Sequence, residues 1–347
     1  MKLMKTTEAV GQVLCHDITQ IIPGVKKDAV FRKGHIITKE DIPVLLSVGK
    51  DTIYIWENDE TMMHENEAAQ VLYNMCACGT ASKMHPSSVK EGKIEVIADC
   101  DGLLKVDSEK LKKVNSFGEM MIATRHGNTT VKKGDKLAGT RIIPLVIKKD
   151  KLKEASNICE DGPILDIKPF VVRKAAIITT GNEVYHGRIQ DAFTPVIEKK
   201  IAEFGAQMMF HEVFDDDDKK ITDGCLRAIE AGAEIVFCTG GMSVDPDDKT
   251  PLAIKNTGAR IVSYGSPVLP GAMFLLSYYD AGDRLVPICG LPGCAMYNKR
   301  TIFDIVLPRL MARDMIYADE LAGLGEGGLC LNCDVCTFPN CGFGKGF

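Results

Sequence analysis

"EIVFCTGGMSVDPDDKT", residues 234–250, decides how the second half of this 347-residue chain is read. Its first part is an apolar, β-branched run that reads as a buried strand. The run leaves through two glycines and passes directly into Asp245, Asp247 and Asp248. A turn accounts for the glycines but not for three carboxylates. Upstream, "KAAIITTGNEV" (174–184) is another apolar run ending in a glycine loop. "TPVIEKKIAEFGA" (194–206) reads as a helix, with Thr194 as N-cap, Pro195 at its first position and Gly205 near its stop. "QMMFHEVF" (207–214) reads as a strand, and "DKKITDGCLRAIEAGA" (218–233) as a helix leading back to the quoted run. Strand, loop, helix, strand, helix, strand predicts an α/β domain, a parallel sheet with helices on both faces. Downstream, "MFLLSYYDAGDRLVPICG" (273–290) reads as two strands around a turn, with an amphipathic helix near 295–312.

The first half has a different texture. Residues 1–60 form an α+β segment, with a short helix capped by Thr38, Glu40 and Asp41 in its first turn, Gly49 at its stop and "TIYIW" as a strand. Residues 61–168 open with the helical stretch "HENEAAQVLYNMCACG" and continue in β-like runs, also α+β. The expected division is therefore 1–60, 61–168, an α/β domain over 169–320, and a cysteine-rich tail over 321–347.

Bulk properties exclude several classes. A net charge of -5, with basic residues scattered, gives no electrostatic case for nucleic acid. No run approaches the roughly 18 apolar residues of a membrane span. The N-terminus lacks a signal-peptide core, so a cytoplasmic protein without a membrane partner is expected. Thirteen cysteines is a high, odd count. Most, such as Cys15, Cys100, Cys225, Cys238 and Cys289, sit in apolar contexts and read as small buried hydrophobes.

In an open parallel sheet, ligands bind beyond the carboxyl ends of the strands. Three glycine loops emerge at such ends: "TTGNEV", "TGGMSVDPDD" and "GLPGCAMYN". Glycine lets backbone N–H groups approach an anion closely. The aspartates around these loops, Asp191, Asp215 to Asp218, Asp245, Asp247 and Asp248, read either as solvated helix caps or as a hard oxygen set for Mg²⁺. Mg²⁺ would reconcile the carboxylates with a phosphate-bearing ligand.

"TTGNEV", "GRIQDAF", "TGGMSVDPDD", "VLPG" and "GLPGCAMYN", in this order, resemble the molybdopterin-binding domain of the molybdopterin molybdotransferase and gephyrin family over about 170–310. "VKKGDKLAGTRIIP" looks like that family's barrel-like β portion. The resemblance implies insertion of molybdate or tungstate into adenylylated molybdopterin with release of AMP, or alternatively a non-catalytic carrier or sensor. It implies cofactor-binding roles for Thr180, Gly181, Asn182, Glu183, Gly240, Gly241, Ser243, Pro270, Gly271, Leu291, Pro292, Gly293 and Cys294. It implies catalytic roles for Asp191, Asp217 and Asp248, and Mg²⁺ held by Asp191, Asp218 and Asp248. A homodimer and a molybdoenzyme partner are expected on the same ground. The chain departs from the pattern at Cys294, Ala295 and Asp245, and at Leu269 and Ala272 around the Pro-Gly element. No counterpart of a further acidic active-site segment is visible.

The tail "CLNCDVCTFPNCGFGKGF" places Cys330, Cys333, Cys336 and Cys341 as C-x₂-C-x₂-C-x₄-C. Thiolates this close in sequence suit one Zn²⁺ or an iron–sulfur cluster.

Overall fold

The computed structural model describes residues 2–22, 26–55, 59–79 and 83–346; Trp56, the end of the expected strand "TIYIW", lies outside them. The chain divides into two compact units. The first comprises residues 1–100, 106–125 and 132–166, and the second residues 101–105, 126–131 and 167–347. Residues 1–60 and most of 61–168, distinct in sequence texture, thus share one unit, and the tail belongs with the second.

In the first unit, Lys2–Lys5 pairs antiparallel with Thr52–Ile55, beside the helix Asp41–Ser47. Leu14, Ile18, Ile37, Leu45 and Ile53 are buried together there. The helix begins three residues after Thr38, with Glu40 at its N-cap. Asp41 explains the shift: its carboxylate accepts from the amide and hydroxyl of Thr38, so the aspartate fixes the turn before the helix. The helix Glu65–Ala77 packs on a four-stranded antiparallel sheet in the order Met84–Pro86, Lys93–Ala98, Lys136–Ile142, Met120–Thr124. No pairing joins the two outer strands among the described residues, so the barrel-like portion expected here is an open sheet.

The second unit is built on six strands: β1 (Lys174–Thr180), β2 (Gln207–Phe214), β3 (Ile235–Thr239), β4 (Arg260–Tyr264), β5 (Leu275–Asp280) and β6 (Leu285–Leu291). Their order in the sheet is β2-β1-β3-β6-β5-β4. The first four are mutually parallel, and β5 runs antiparallel to both its neighbours. The helices are α1 (Asn182–Tyr185), α2 (Phe193–Ala202), α3 (Asp218–Glu230), α4 (Thr250–Asn256), α5 (Ile302–Met311) and α6 (Ala318–Gly323).

Side chains alternate across a strand, so a strand covered on both faces must be apolar at successive positions. β1 meets this requirement. Ala175 and Ile177 pack with Ile197 and Ile201 of α2 and Phe303 and Leu307 of α5. Ala176 and Ile178 pack on the other face with Ile221 and Cys225 of α3 and Ala253 and Ile254 of α4. Each fully buried Ile or Phe contributes on the order of 2 kcal/mol. The α/β sandwich expected from the alternating pattern is therefore present, with helices on both faces.

Two helix starts differ from expectation. Thr194 lies inside α2, because the Asp191 carboxylate accepts from the Phe193 and Thr194 amides and caps the helix instead. α5 begins at Ile302, not near 295. Thr301 and Asp304 form a reciprocal capping box there, satisfying two orphan amides at that point and fixing the start. No described helix is long and apolar enough to cross a membrane.

Asp314, just past α5, holds the second unit together. Its buried carboxylate accepts from Lys105 (2.9 Å), Lys168 (2.6 Å) and Arg309 (2.6 Å). Burial acts to raise its pKa, but the hydrogen bonds from Lys168 and Lys105 and the Arg309 charge outweigh this and hold it at about 2.

Candidate functional site

The carboxyl ends of β2, β1, β3 and β6 lie along one edge of the sheet, because these strands are parallel and paired in register there. The chain runs from β1 to β2 on one side and returns to β3 on the other. The order therefore reverses between β1 and β3, where an open α/β sheet leaves a crevice for ligand.

Buried threonines and two glycines build that crevice. Thr180 ends β1 with its hydroxyl donating to the Thr239 carbonyl (3.0 Å) and lying 3.1 Å from the Thr250 hydroxyl. Gly240 and Gly241 have φ of 81° and 53°. A Cβ on Gly240 would run into the Thr180 carbonyl, and one on Gly241 into the Thr250 hydroxyl. Both positions therefore require glycine, for close chain packing as well as for φ. Tyr264 holds the following loop by donating to the Met242 carbonyl (3.0 Å). Ser243 is exposed, and Val244 is 85% exposed. Among the described residues, the amides of Gly241, Met242, Ser243 and Val244 donate no hydrogen bond within the chain.

Beside this loop lies a cleft of about 450 Å³ lined by Asn182, Asp215 to Asp218, Lys219 and Asp247. The Asp216 carboxylate accepts from the Asn182 amide at 3.1 Å, tying the loop after β1 to the loop after β2. Burial raises the Asp216 pKa, and although the Asn182 bond acts to lower it, the charges of Glu183, Asp247 and Asp248 add to the rise. Lys219 on its wall and Lys220, paired with Asp215 at 2.7 Å, leave this cleft with an excess of carboxylates. Asp217 caps α3 by accepting from the Lys219 and Lys220 amides, and Asp218 accepts from Asn256 at 3.1 Å. Asp248 closes its own turn by accepting from the Asp245 amide at 3.0 Å.

Asp191 is placed elsewhere. Thr179 and Thr180 are adjacent on β1, so their side chains leave on opposite faces. Thr180 faces α4, whereas Thr179 donates to Asp191 (2.9 Å) on the α2 side. Asp191 also accepts from the Thr194 hydroxyl (2.6 Å), and His211 lies 3.1 Å from Thr179. Burial acts to raise the Asp191 pKa, but the bonds from Thr194, Thr179 and Phe193 prevail and lower it. The expected set of Asp191, Asp218 and Asp248 is thus split between the two faces of the sheet. Among the described residues, no three His, Cys, Asp or Glu side chains converge where a metal ion could be held. The carboxylates are of the type Mg²⁺ takes, but as placed they do not form a coordination set.

The remaining expected residues divide between core and surface. Leu291 is fully buried in the apolar core at the end of β6. Thr180 is likewise buried, and acts by shaping the crevice. Gly271 sits against Ile302, and the Pro270 carbonyl accepts from the Ile302 amide (3.1 Å), so this element starts α5. Pro292 is buried, and Gly293 is exposed with open space around it. Cys294 is half-buried, and burial pushes its thiol pKa up, away from the thiolate a metal contact requires. Glu183 folds back over Gly181. The four tail cysteines lie together in a separate cavity. Sequence reasoning missed Thr179, Thr194 and His211 as the partners of Asp191. The double threonine at a strand end was the available signal, since alternation sends the pair to opposite faces.

Residues 176–312 match the family described as "Probable molybdopterin binding domain", and residues 3–57 match a domain of unknown function (DUF8806). Over these residues the second unit resembles the molybdopterin-binding domain family of molybdenum cofactor biosynthesis. A molybdopterin molybdenumtransferase of Staphylococcus epidermidis is 26% identical over 159 residues, 43% of this chain and 38% of that protein. A "Putative competence-damage inducible protein" of Bacillus subtilis is 30% identical over 88 residues, 25% of this chain and 21% of that protein. The matches thus span well under half of these relatives. The tungsten cofactor synthesizing protein MoaB from Pyrococcus furiosus aligns at 18% identity and a TM-score of 0.31, covering 41% of this chain and 89% of that one.

Proposed function

We propose that the second unit binds adenylylated molybdopterin at the crevice between β1 and β3 and serves the insertion of molybdate, with release of AMP. The observation that carries this reading is the meeting of the two glycine loops where the strand order reverses: Gly240 packs closely on Thr180, and Asn182 and Asp247 line one cleft. The amides of residues 241–244 form a cradle for the phosphate of the ligand. The carboxylates of Asp216 and Asp247 line the cleft beside it and suit the amino and ring N–H donors of a pterin. Ser243, exposed at the crevice, adds a hydroxyl to the cradle.

A second reading has an observation of its own. Asp191 is committed to inward hydrogen bonds and Asp217 to a helix cap, which suits a carrier that holds the pterin and passes it to a molybdoenzyme. One experiment separates the two. The anaerobically purified protein is mixed with adenylylated molybdopterin, Mg²⁺ and molybdate, and AMP is measured alongside activation of an apo-molybdoenzyme. AMP release with activation supports insertion. Retention of intact adenylylated pterin supports the carrier, and failure to bind it removes both readings.

A further inference from the structure

The four tail cysteines are not a loose end. Cys330, Cys333, Cys336 and Cys341 all line one cavity of about 430 Å³. The tail is folded onto the second unit: Cys330 donates its amide to the Leu269 carbonyl (2.8 Å), and Leu269 donates its own to Gly328 (2.8 Å). Phe343 is buried in the core beneath the cavity, and Phe338 packs against that core. Lys299 and Arg300, following the loop after β6, supply positive charge to the wall. Arg300 stands 5.0 Å over the Phe338 ring, donates to Asp304 (2.9 Å) and reaches the sulfur of Cys336.

Among the described residues no three Cys, His, Asp or Glu side chains already meet at one ion. The cavity that the four cysteines line has room for a polynuclear core. Three of them follow the two-residue spacing that wraps a cuboidal cluster, and the fourth returns after a turn closed by Asn340 donating to Thr337 (2.7 Å). Phe338 and the buried Phe343 give the cavity an apolar floor, and the nearby cations Lys299 and Arg300 offset the negative charge of four thiolates. We propose that Cys330, Cys333, Cys336 and Cys341 ligate a [4Fe–4S] cluster in this cavity, against the loop that follows β6.

The proposal is independent of the pterin reading, because iron is measured with no pterin present. The full chain is purified anaerobically, refilled with ferrous iron and sulfide, desalted, and analysed for iron, sulfide and zinc. The expected result is about four irons and four sulfides per chain, with broad visible absorption that bleaches on dithionite reduction. Cys333 and Cys336 are exposed, so a Cys333→Ser/Cys336→Ser double variant should fold, as circular dichroism will check, and lose at least about fivefold of its iron. Cys341→Ser alone serves as a second test should the double variant misfold, and Cys78→Ser should keep full iron. One zinc per chain without iron, or iron unchanged in both tail variants, would overturn the proposal.

Discussion

Two groups of carboxylates in the second unit are held in opposite ways. Asp314 and Asp191 point inward and are surrounded by donors, and both have lowered pKa values. Asp216, beside Asp215 and Asp247, faces a cleft with few donors and many like charges, and its pKa is raised. The first group holds the fold, whereas the second accumulates repulsion that folding alone would not select. Sequence treats all of these as aspartates near glycine loops. Their roles separate only when strand alternation and helix caps decide which way each one faces.

The largest effect is expected at the inward group. Asp314→Ala leaves Lys105, Lys168 and Arg309 without their shared partner and should destabilise the protein by roughly 3–5 kcal/mol, measured by urea unfolding. The pH dependence follows from the lowered value. With a folded pKa of about 2 against an ordinary 3.8, Asp314 contributes stability that is complete above 3.8 and is lost as pH falls toward 2. Acid titration of the wild type against Asp314→Asn should show a larger loss in the wild type, the difference being the Asp314 contribution.

Asp191→Ala should cost less, about 2–3 kcal/mol, because it strands the Thr179 and Thr194 hydroxyls and the α2 amides. A destabilisation under about 0.5 kcal/mol would place Asp191 with the cleft group and erase the comparison. Gly240→Ala should cost roughly 1–3 kcal/mol through strain and its clash with the Thr180 carbonyl, read in the same unfolding assay.

Asp216→Asn is expected to have the smallest effect on stability, within about 0.5 kcal/mol or slightly favourable, while changing ligand affinity. Its sign with pH is opposite to that of Asp314. A raised folded pKa means the folded state holds the proton more tightly, so the repulsion is present above that pKa and relieved as pH falls through it toward 3.8. Asp216→Asn should flatten that part of the stability curve.

Much of the second unit was legible in the sequence. The runs at 175–178 and 235–238 are apolar at every position, and their glycine exits and intervening helices left few alternatives to a parallel sheet. What was not legible depends on direction or on long-range placement. Whether Asp191 joins Asp218 depends on Thr179 and Thr180 facing opposite ways, which the residue types do not state. Residues 101–105 and 126–131 belong to the second unit, in a three-stranded sheet with Leu165–Lys168 that no local pattern announces. Leu291 was read as a ligand contact from its place in a loop motif, yet it is the last residue of a buried strand. The capping box at Thr301 and Asp304 was written in the sequence, although the helix was expected from near 295.

The most direct test of the crevice is an anaerobic equilibrium titration with adenylylated molybdopterin, followed by pterin fluorescence, on the wild type and Ser243→Trp. Ser243 is exposed on the loop proposed to hold the phosphate, so the bulky substitution should leave the fold intact while obstructing that loop. Saturable binding of one ligand per chain, weakened at least about tenfold in the variant, is the result predicted here. Equal affinity in both proteins, or no saturable binding to either, would contradict it.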